Sequence, residues 1–249
     1  MLHYSDTGKG KVLVFLHGFC EDLRIWQEFT QSLESSYRII CPDLPGFGRS
    51  APTSSDLSLW AETLHNLLSD LGVQKAWIIG HSMGGYVAMA LAERYPDLFQ
   101  GLVLFHSTAL ADNDEKKKSR NRNIRFIQDH GAVPFVRQLI PSLFGTSVKR
   151  ESETQLALQI AETQPDQGLV NALMAMRNRS DRSGVLASLP CPVLILSGKH
   201  DSVLVLKEQA ELALLPDVCI FHVLPDTGHM GMLEEPETCR KFLLEFIES

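Results

Sequence analysis

Short apolar, β-branched runs recur along the chain at residues 12–16, 38–41, 76–79, 102–105, 193–197 and 219–224. Their length and lack of alternation read as strands buried on both faces. Between most of them lie segments with helical spacing. Leu57, Trp60, Leu64, Leu67, Leu68 and Leu71, for example, place one apolar stripe on one helix face. Strands alternating with helices predict an α/β fold, with a mostly parallel sheet flanked by helices on both sides. Ligands of such sheets bind at the carboxyl ends of the strands. One interval breaks the alternation: residues 108–188 carry amphipathic helical patterns and no convincing strand. The expected organisation is a core of residues 1–107 and 189–249, with a helical lobe inserted at 108–188.

Composition narrows this picture. With 249 residues, 44% hydrophobic and 21% charged, the chain has the means to bury a core. Its net charge of −7 argues against a nucleic-acid-binding module, which needs a surplus of basic residues. The apolar runs are far below the ~20 residues of a membrane span, so none is expected. Residues 1–6 have neither a basic nor an apolar character that would suggest a secretory signal, and the expected location is cytoplasmic. Five scattered cysteines without a Cys-x-x-Cys pair read as reduced thiols rather than a disulfide framework or zinc site.

The charge is also unevenly placed. The lobe at 108–188 has twelve basic and nine acidic residues, a balance of +3, which leaves −10 on the core. Lys116, Lys117, Lys118, Arg120, Arg122 and Arg125 cluster on what reads as one helix, preceded by Asp112, Asp114 and Glu115. Acid first and base later complements the helix dipole, so a solvated face accounts for the cluster. The functional alternative is that an arginine turns inward and pairs with an anionic substrate group. Arg122 and Arg125 are the pocket candidates for that role.

The chemistry centres on Gly80-His81-Ser82-Met83-Gly84, which follows the strand at 76–79 and precedes an Ala-rich helical run. Strand, Gly-x-Ser-x-Gly, helix is the context of a nucleophile elbow. A turn sharp enough to lift Ser82 Oγ off the sheet needs very small neighbours two residues either side. Ser82 then sits at a helix N-terminus, where free N–H groups favour developing negative charge.

With His17-Gly18-Phe19, Asp43-Leu44-Pro45-Gly46-Phe47-Gly48-Arg49-Ser50, Ser197-Gly198-Lys199-His200-Asp201 and Gly228-His229-Met230 in order along the chain, the sequence resembles the α/β-hydrolase fold superfamily, in its small serine esterase and carbon–carbon hydrolase branch. The resemblance covers nearly the whole chain. It implies that the 108–188 lobe is a cap, and that His229, which follows the last strand through a short turn, is the general base. A serine hydroxyl needs such a base to become a nucleophile. Asp201 follows the strand at 193–197 and gives the Ser, Asp, His order of the fold. Asp226 is the rival carboxylate, but three residues from His229 it is better placed to shape the turn. The backbone N–H groups of Met83 and, by the family motif, Phe19 are the expected oxyanion hole.

His81 and His222 read as structural, with the His81 side chain expected to point away from the site. His106 ends a strand at the catalytic edge and is a candidate pocket wall. Phe19, Met83, Met230 and Met232 are expected to make the pocket apolar. The resulting expectation is a serine hydrolase of the carboxylesterase kind, independent of cofactor and metal, acting on a small-molecule ester or thioester through an acyl-enzyme. Hydrolysis or lysis of a carbon–carbon bond in a β-diketone-like acid is the alternative, and the same triad would permit perhydrolysis. From a different class, a ligand-sensing signalling protein with slow turnover uses the same fold. The sequence leaves the oligomeric state open.

Overall fold

All six apolar runs lie in strands of one sheet. In the computed structural model, which describes residues 2–146 and 150–249, the strands are β1 (Tyr4–Gly8), β2 (Lys11–Leu16), β3 (Tyr37–Pro42), β4 (Ala76–His81), β5 (Phe99–Phe105), β6 (Val193–Gly198) and β7 (Cys219–Leu224). Their order is β1-β3-β2-β4-β5-β6-β7. Only β1 is antiparallel to its neighbour. It is also the strand that the apolar pattern misses. Tyr-Ser-Asp-Thr-Gly is polar and half-buried to exposed at the sheet edge, so its main chain, paired along β3, makes the strand rather than an apolar face.

The helices are α1 (Gln27–Gln31), α2 (Leu57–Asp70), α3 (Met83–Arg94), α4 (Asp114–His130), α5 (Ala132–Leu139), α6 (Glu151–Ala161), α7 (Asp166–Asn178), α8 (Ser183–Ser188), α9 (Leu206–Leu212), α10 (Gly231–Glu234) and α11 (Pro236–Glu248). In α2 the expected stripe is buried through Leu57, Trp60, Leu64, Leu67 and Leu68, each such side chain contributing about 1.5–3 kcal/mol. Asp56 caps the helix, accepting from the Ser58 N–H at 2.8 Å. Helix α3 is different: ten of its twelve residues are buried, which is why its sequence is small and apolar all round rather than striped.

Among the described residues, the stretch between β5 and β6 holds α4 to α8 and no strand, with α4 packed along α7. Residues 147–149 of that stretch, and Met1 at the start of the N-terminal segment, lie outside the described residues. No helix among the described residues is long and apolar enough to cross a membrane. Because β2 to β7 run parallel, their carboxyl ends share one edge. The connection from β2 goes to β3 on one side, and β4 then pairs on the other. This reversal opens a crevice at the ends of β2 and β4.

Candidate active site

The tightest turn at that crevice is the one after β4. Ser82 has φ +47° and ψ −113° and leads directly into α3. A Cβ on Gly80 would meet the Gly85 backbone nitrogen at 2.5 Å, and one on Gly84 would meet the Leu16 carbonyl oxygen at 2.4 Å. Both glycines are therefore required by close approach. The turn is pinned by the Ser82 N–H donating to the Phe105 carbonyl (3.0 Å), and by the Ser82 carbonyl accepting from the Gly85 N–H (3.0 Å) and Ser107 Oγ (2.6 Å). Its side chain is left to the cavity.

That cavity, of about 510 Å³ counted out to its open mouth, is lined by Ser82 and His229 together. His229 comes from the loop after β7, and its Nδ1 stands 2.7 Å from Asp201 Oδ2. The other oxygen of Asp201 accepts the N–H groups of Val203 (2.8 Å) and Leu204 (3.0 Å). Burial alone would raise the Asp201 pKa. The charge of His229 and hydrogen bonds at the carboxylate override it and hold the carboxyl well below the usual range. Asp226 is exposed, so the buried carboxylate beside His229 is the one that the chain order selects.

Three non-glycine residues among those described have positive φ: Cys20 (67°), Ser82 (47°) and His106 (46°). All three sit in the loops at this crevice, and such backbones typically cost about 1–3 kcal/mol each. The loop after β2 is held by His17, whose Nε2 accepts the Leu44 N–H (2.9 Å), so that the ring proton on Nδ1 donates to the Gly18 carbonyl (2.8 Å). Among the described residues neither the Phe19 nor the Met83 N–H finds a hydrogen-bond acceptor. Met83 opens α3, whose first N–H groups have no partner within the helix, and half-buried Phe19 adds a second such donor at the same crevice.

The pocket wall differs from the sequence reading. Phe19 lines it, but its apolar companions are Phe135, Leu139, Leu143, Met176 and Val203. Met83, Met230 and Met232 are packed in the interior and do not line this cavity. Arg122 and Arg125 are exposed; the arginine at the cavity is Arg120. With 3.6 residues per turn, positions 122 and 125 lie about 200° and 140° around α4 from position 120. His106 is also no wall residue. It is buried beneath the pair, its ring centroid 5.9 Å from that of His229.

His81 lines the cavity instead of pointing away. Its Nδ1 donates to Glu21 (3.1 Å) and its Nε2 to the His229 carbonyl (2.9 Å). Both ring nitrogens face acceptors, which only an imidazolium satisfies. Burial would lower its pKa, but Glu21 raises it above the ordinary value; Glu21, also accepting from the Gly18 N–H at 2.6 Å, is held below its own. Glu21 and Glu234 are the site carboxylates that the sequence reading omits. Glu234 accepts from the N–H groups of Gly228 (3.0 Å) and Met230 (3.1 Å), on either side of His229, and from Gly145 (2.8 Å). A buried N–H deprived of its acceptor costs about 1–3 kcal/mol, so this one carboxylate fixes the His229 loop against the segment after α5.

His106 Nδ1 accepts the Gly198 N–H at 3.2 Å. The same nitrogen cannot also donate to Asp201, so its 3.4 Å approach there is a contact rather than a bond. Burial pushes the His106 pKa down to about 4, and the fold holds the ring neutral. The unfolded chain takes up a proton near pH 6.5, so this contribution to stability is complete above 6.5. It falls by up to about 3 kcal/mol as the pH drops towards 4. His17, shifted down by burial, acts in the same direction, while His81, shifted up, opposes it. The urea midpoint is therefore expected to fall between pH 6.5 and 4.5, and less steeply in His106→Gln; a midpoint that is flat over this range in the parent would contradict a neutral His106.

The ligand-capable atoms of His106, Asp201 and His229 lie within 4.8 Å of one another. They close by direct contact, 2.7 Å between His229 and Asp201. Two donors of a tetrahedral ion held at about 2.0–2.2 Å from each would stand wider apart, so the His229–Asp201 separation is that of a hydrogen bond.

Residues 11–236 match the family model described as alpha/beta hydrolase fold. A thermophilic esterase from Thermogutta terrifontis, solved with malate bound, superposes with a TM-score of 0.94 at 32% identity, covering 99% of this chain and 93% of that one. A 2-hydroxy-6-oxononadienedioate/2-hydroxy-6-oxononatrienedioate hydrolase from Paraburkholderia phymatum is 28% identical, over 99% of this chain and 90% of its own. A pimeloyl-[acyl-carrier protein] methyl ester esterase from Vibrio vulnificus is 26% identical, over 98% and 97%.

Proposed function

The chain belongs to the alpha/beta hydrolase fold family, and from that premise we propose a serine hydrolase that cleaves a small carboxylic ester or thioester through an acyl-enzyme. The observation that carries the reading is Ser82, raised on a strained turn into the cavity that it shares with His229, itself bonded to Asp201. Ser82 Oγ attacks the substrate carbonyl while His229 Nε2 takes its proton. The carbonyl oxygen becomes an oxyanion between the Phe19 and Met83 N–H groups, each such donor being worth roughly 3 kcal/mol to the transition state. The tetrahedral adduct collapses, the alcohol or thiol leaves with the proton from His229, and water repeats the sequence to release the acid. The cap role of residues 108–188 is part of the same reading, since α4, α5 and α7 all supply cavity walls.

Similarity to the oxononadienedioate hydrolase favours a second reading, in which the bond broken is carbon–carbon in a β-diketone-like acid. Both readings use the same nucleophile.

Incubation with a fluorophosphonate is expected to add one label per chain, on the peptide containing Ser82, and a p-nitrophenyl ester is expected to turn over many times. Absence of both would overturn the hydrolase mechanism. A single turnover without recycling would instead favour a sensor on this fold.

A further inference from the structure

The cavity wall opposite the elbow carries a charge that the proposed mechanism does not use. Asp112, with its side chain fully buried, accepts from two guanidinium groups: Arg179 at 2.8 Å and Arg120 at 3.2 Å. Asp181 also acts on Arg179, so the two cations have two acids near them, and what is left unmatched is the outer end of Arg120. Arg179 is otherwise consumed within the fold. It donates to the carbonyls of Leu110 (3.0 Å) and Met176 (2.9 Å), and its guanidinium lies 4.0 Å from the centre of the Tyr86 ring.

Arg120 uses only Nε for Asp112. Among the described residues its terminal amino groups have no partner, nor does the side-chain amide of Asn123, one helical turn along α4 and also at the cavity. The other charged groups at the cavity are already matched. Glu21 is paired with His81, and His229 with Asp201. Arg120 and Ser82 line the same cavity, so these unmatched donors lie within a short substrate's reach of the reacting carbonyl. Guanidinium N–H donors left without a partner at a cavity wall are matched in geometry and charge by an anionic group.

We propose that Arg120 and Asn123 form an anion subsite of this cavity, and that its substrates are short esters bearing a second, free carboxylate. This rests on the Ser82 reading. The guanidinium offers two parallel N–H donors, a fork that fits a carboxylate bidentately. The Asn123 amide supplies a neutral donor that discriminates shape rather than charge. The wall of Phe19, Phe135, Leu139 and Val203 holds the methylene chain between the two carbonyl ends.

The test compares monomethyl succinate with methyl pentanoate, of similar length, by pH-stat titration on the intact protein. The wild type is expected to prefer the monoanion in kcat/KM by tenfold or more, and Arg120→Met to reduce that preference about ten- to hundredfold. Arg120→Lys, which keeps the charge without the fork, is expected to restore part of it. Equal rates on the two esters in the wild type, or an unchanged preference in Arg120→Met with a normal thermal melt, would refute the subsite. If Arg120→Met fails to fold, Asn123→Leu and the suppression of the preference by added salt decide instead; no effect of either refutes it. Methyl pentanoate turnover and fluorophosphonate labelling in the wild type report separately on the hydrolase reading, so the two can fail independently.

Discussion

Replacing Ser82 by alanine is expected to lower kcat on a p-nitrophenyl ester by ~10⁴-fold or more, with no loss of thermal stability. The change removes Oγ alone. Every hydrogen bond that pins the turn involves the Ser82 backbone: its N–H to Phe105, and its carbonyl from Gly85 and Ser107. Alanine keeps all of them, and at φ +47° it is as strained as serine because both carry a Cβ. Glycine is not. Ser82→Gly is expected to be equally inactive, yet more stable than either by about 1 kcal/mol as the left-handed strain is released. Differential scanning calorimetry and steady-state kinetics on the three proteins separate the two roles of the position. An alanine variant that keeps most of its activity would mean that Ser82 is not the nucleophile.

The parts of this site that could be read from the sequence are those with a local physical cause. Parallel strands buried on both faces must be written as continuous apolar runs, so β2 to β6 were legible, while β7, half-buried at the sheet edge, was legible from its β-branched and aromatic residues instead. The elbow was legible because only glycine fits at 80 and 84. His229 and Asp201 followed from chain order along a parallel sheet. What failed depends on packing between segments distant in sequence. Six basic residues crowd within ten positions of α4, and which of them faces inward is set by how α4 lies on α7. The answer was Arg120 rather than Arg122 or Arg125. Glu21 and Glu234, each followed by a second acid in the sequence, escaped because nothing local shows that a histidine in one case and three backbone N–H groups in the other converge on them. The methionines at 83, 230 and 232 were apolar and close in sequence to the site, but their burial places them behind it.

Asp201→Asn is expected to be almost as damaging as loss of the nucleophile, for a reason fixed by the surrounding donors. One carboxylate oxygen of Asp201 accepts two backbone N–H groups, from Val203 and Leu204, and the other faces His229 Nδ1 at 2.7 Å. An asparagine there must turn its carbonyl towards the two N–H groups, since its amino group would leave both unpaired at about 1–3 kcal/mol each. The amino group then faces His229. Facing a donor, Nδ1 must accept, and the ring proton moves to Nε2. In that tautomer Nε2 has no lone pair with which to take the Ser82 proton. The expected loss is ~10⁴-fold in kcat with the fold intact, and fluorophosphonate labelling should slow in parallel because it needs the same proton transfer. Asp226→Asn, at an exposed position on the same loop as His229, is expected to stay within about twofold of the parent, as surface changes usually do. Activity of Asp201→Asn within tenfold of the parent, or a large loss in Asp226→Asn, would transfer the orienting role to Asp226 and separate the buried hydrogen bond from the chemistry.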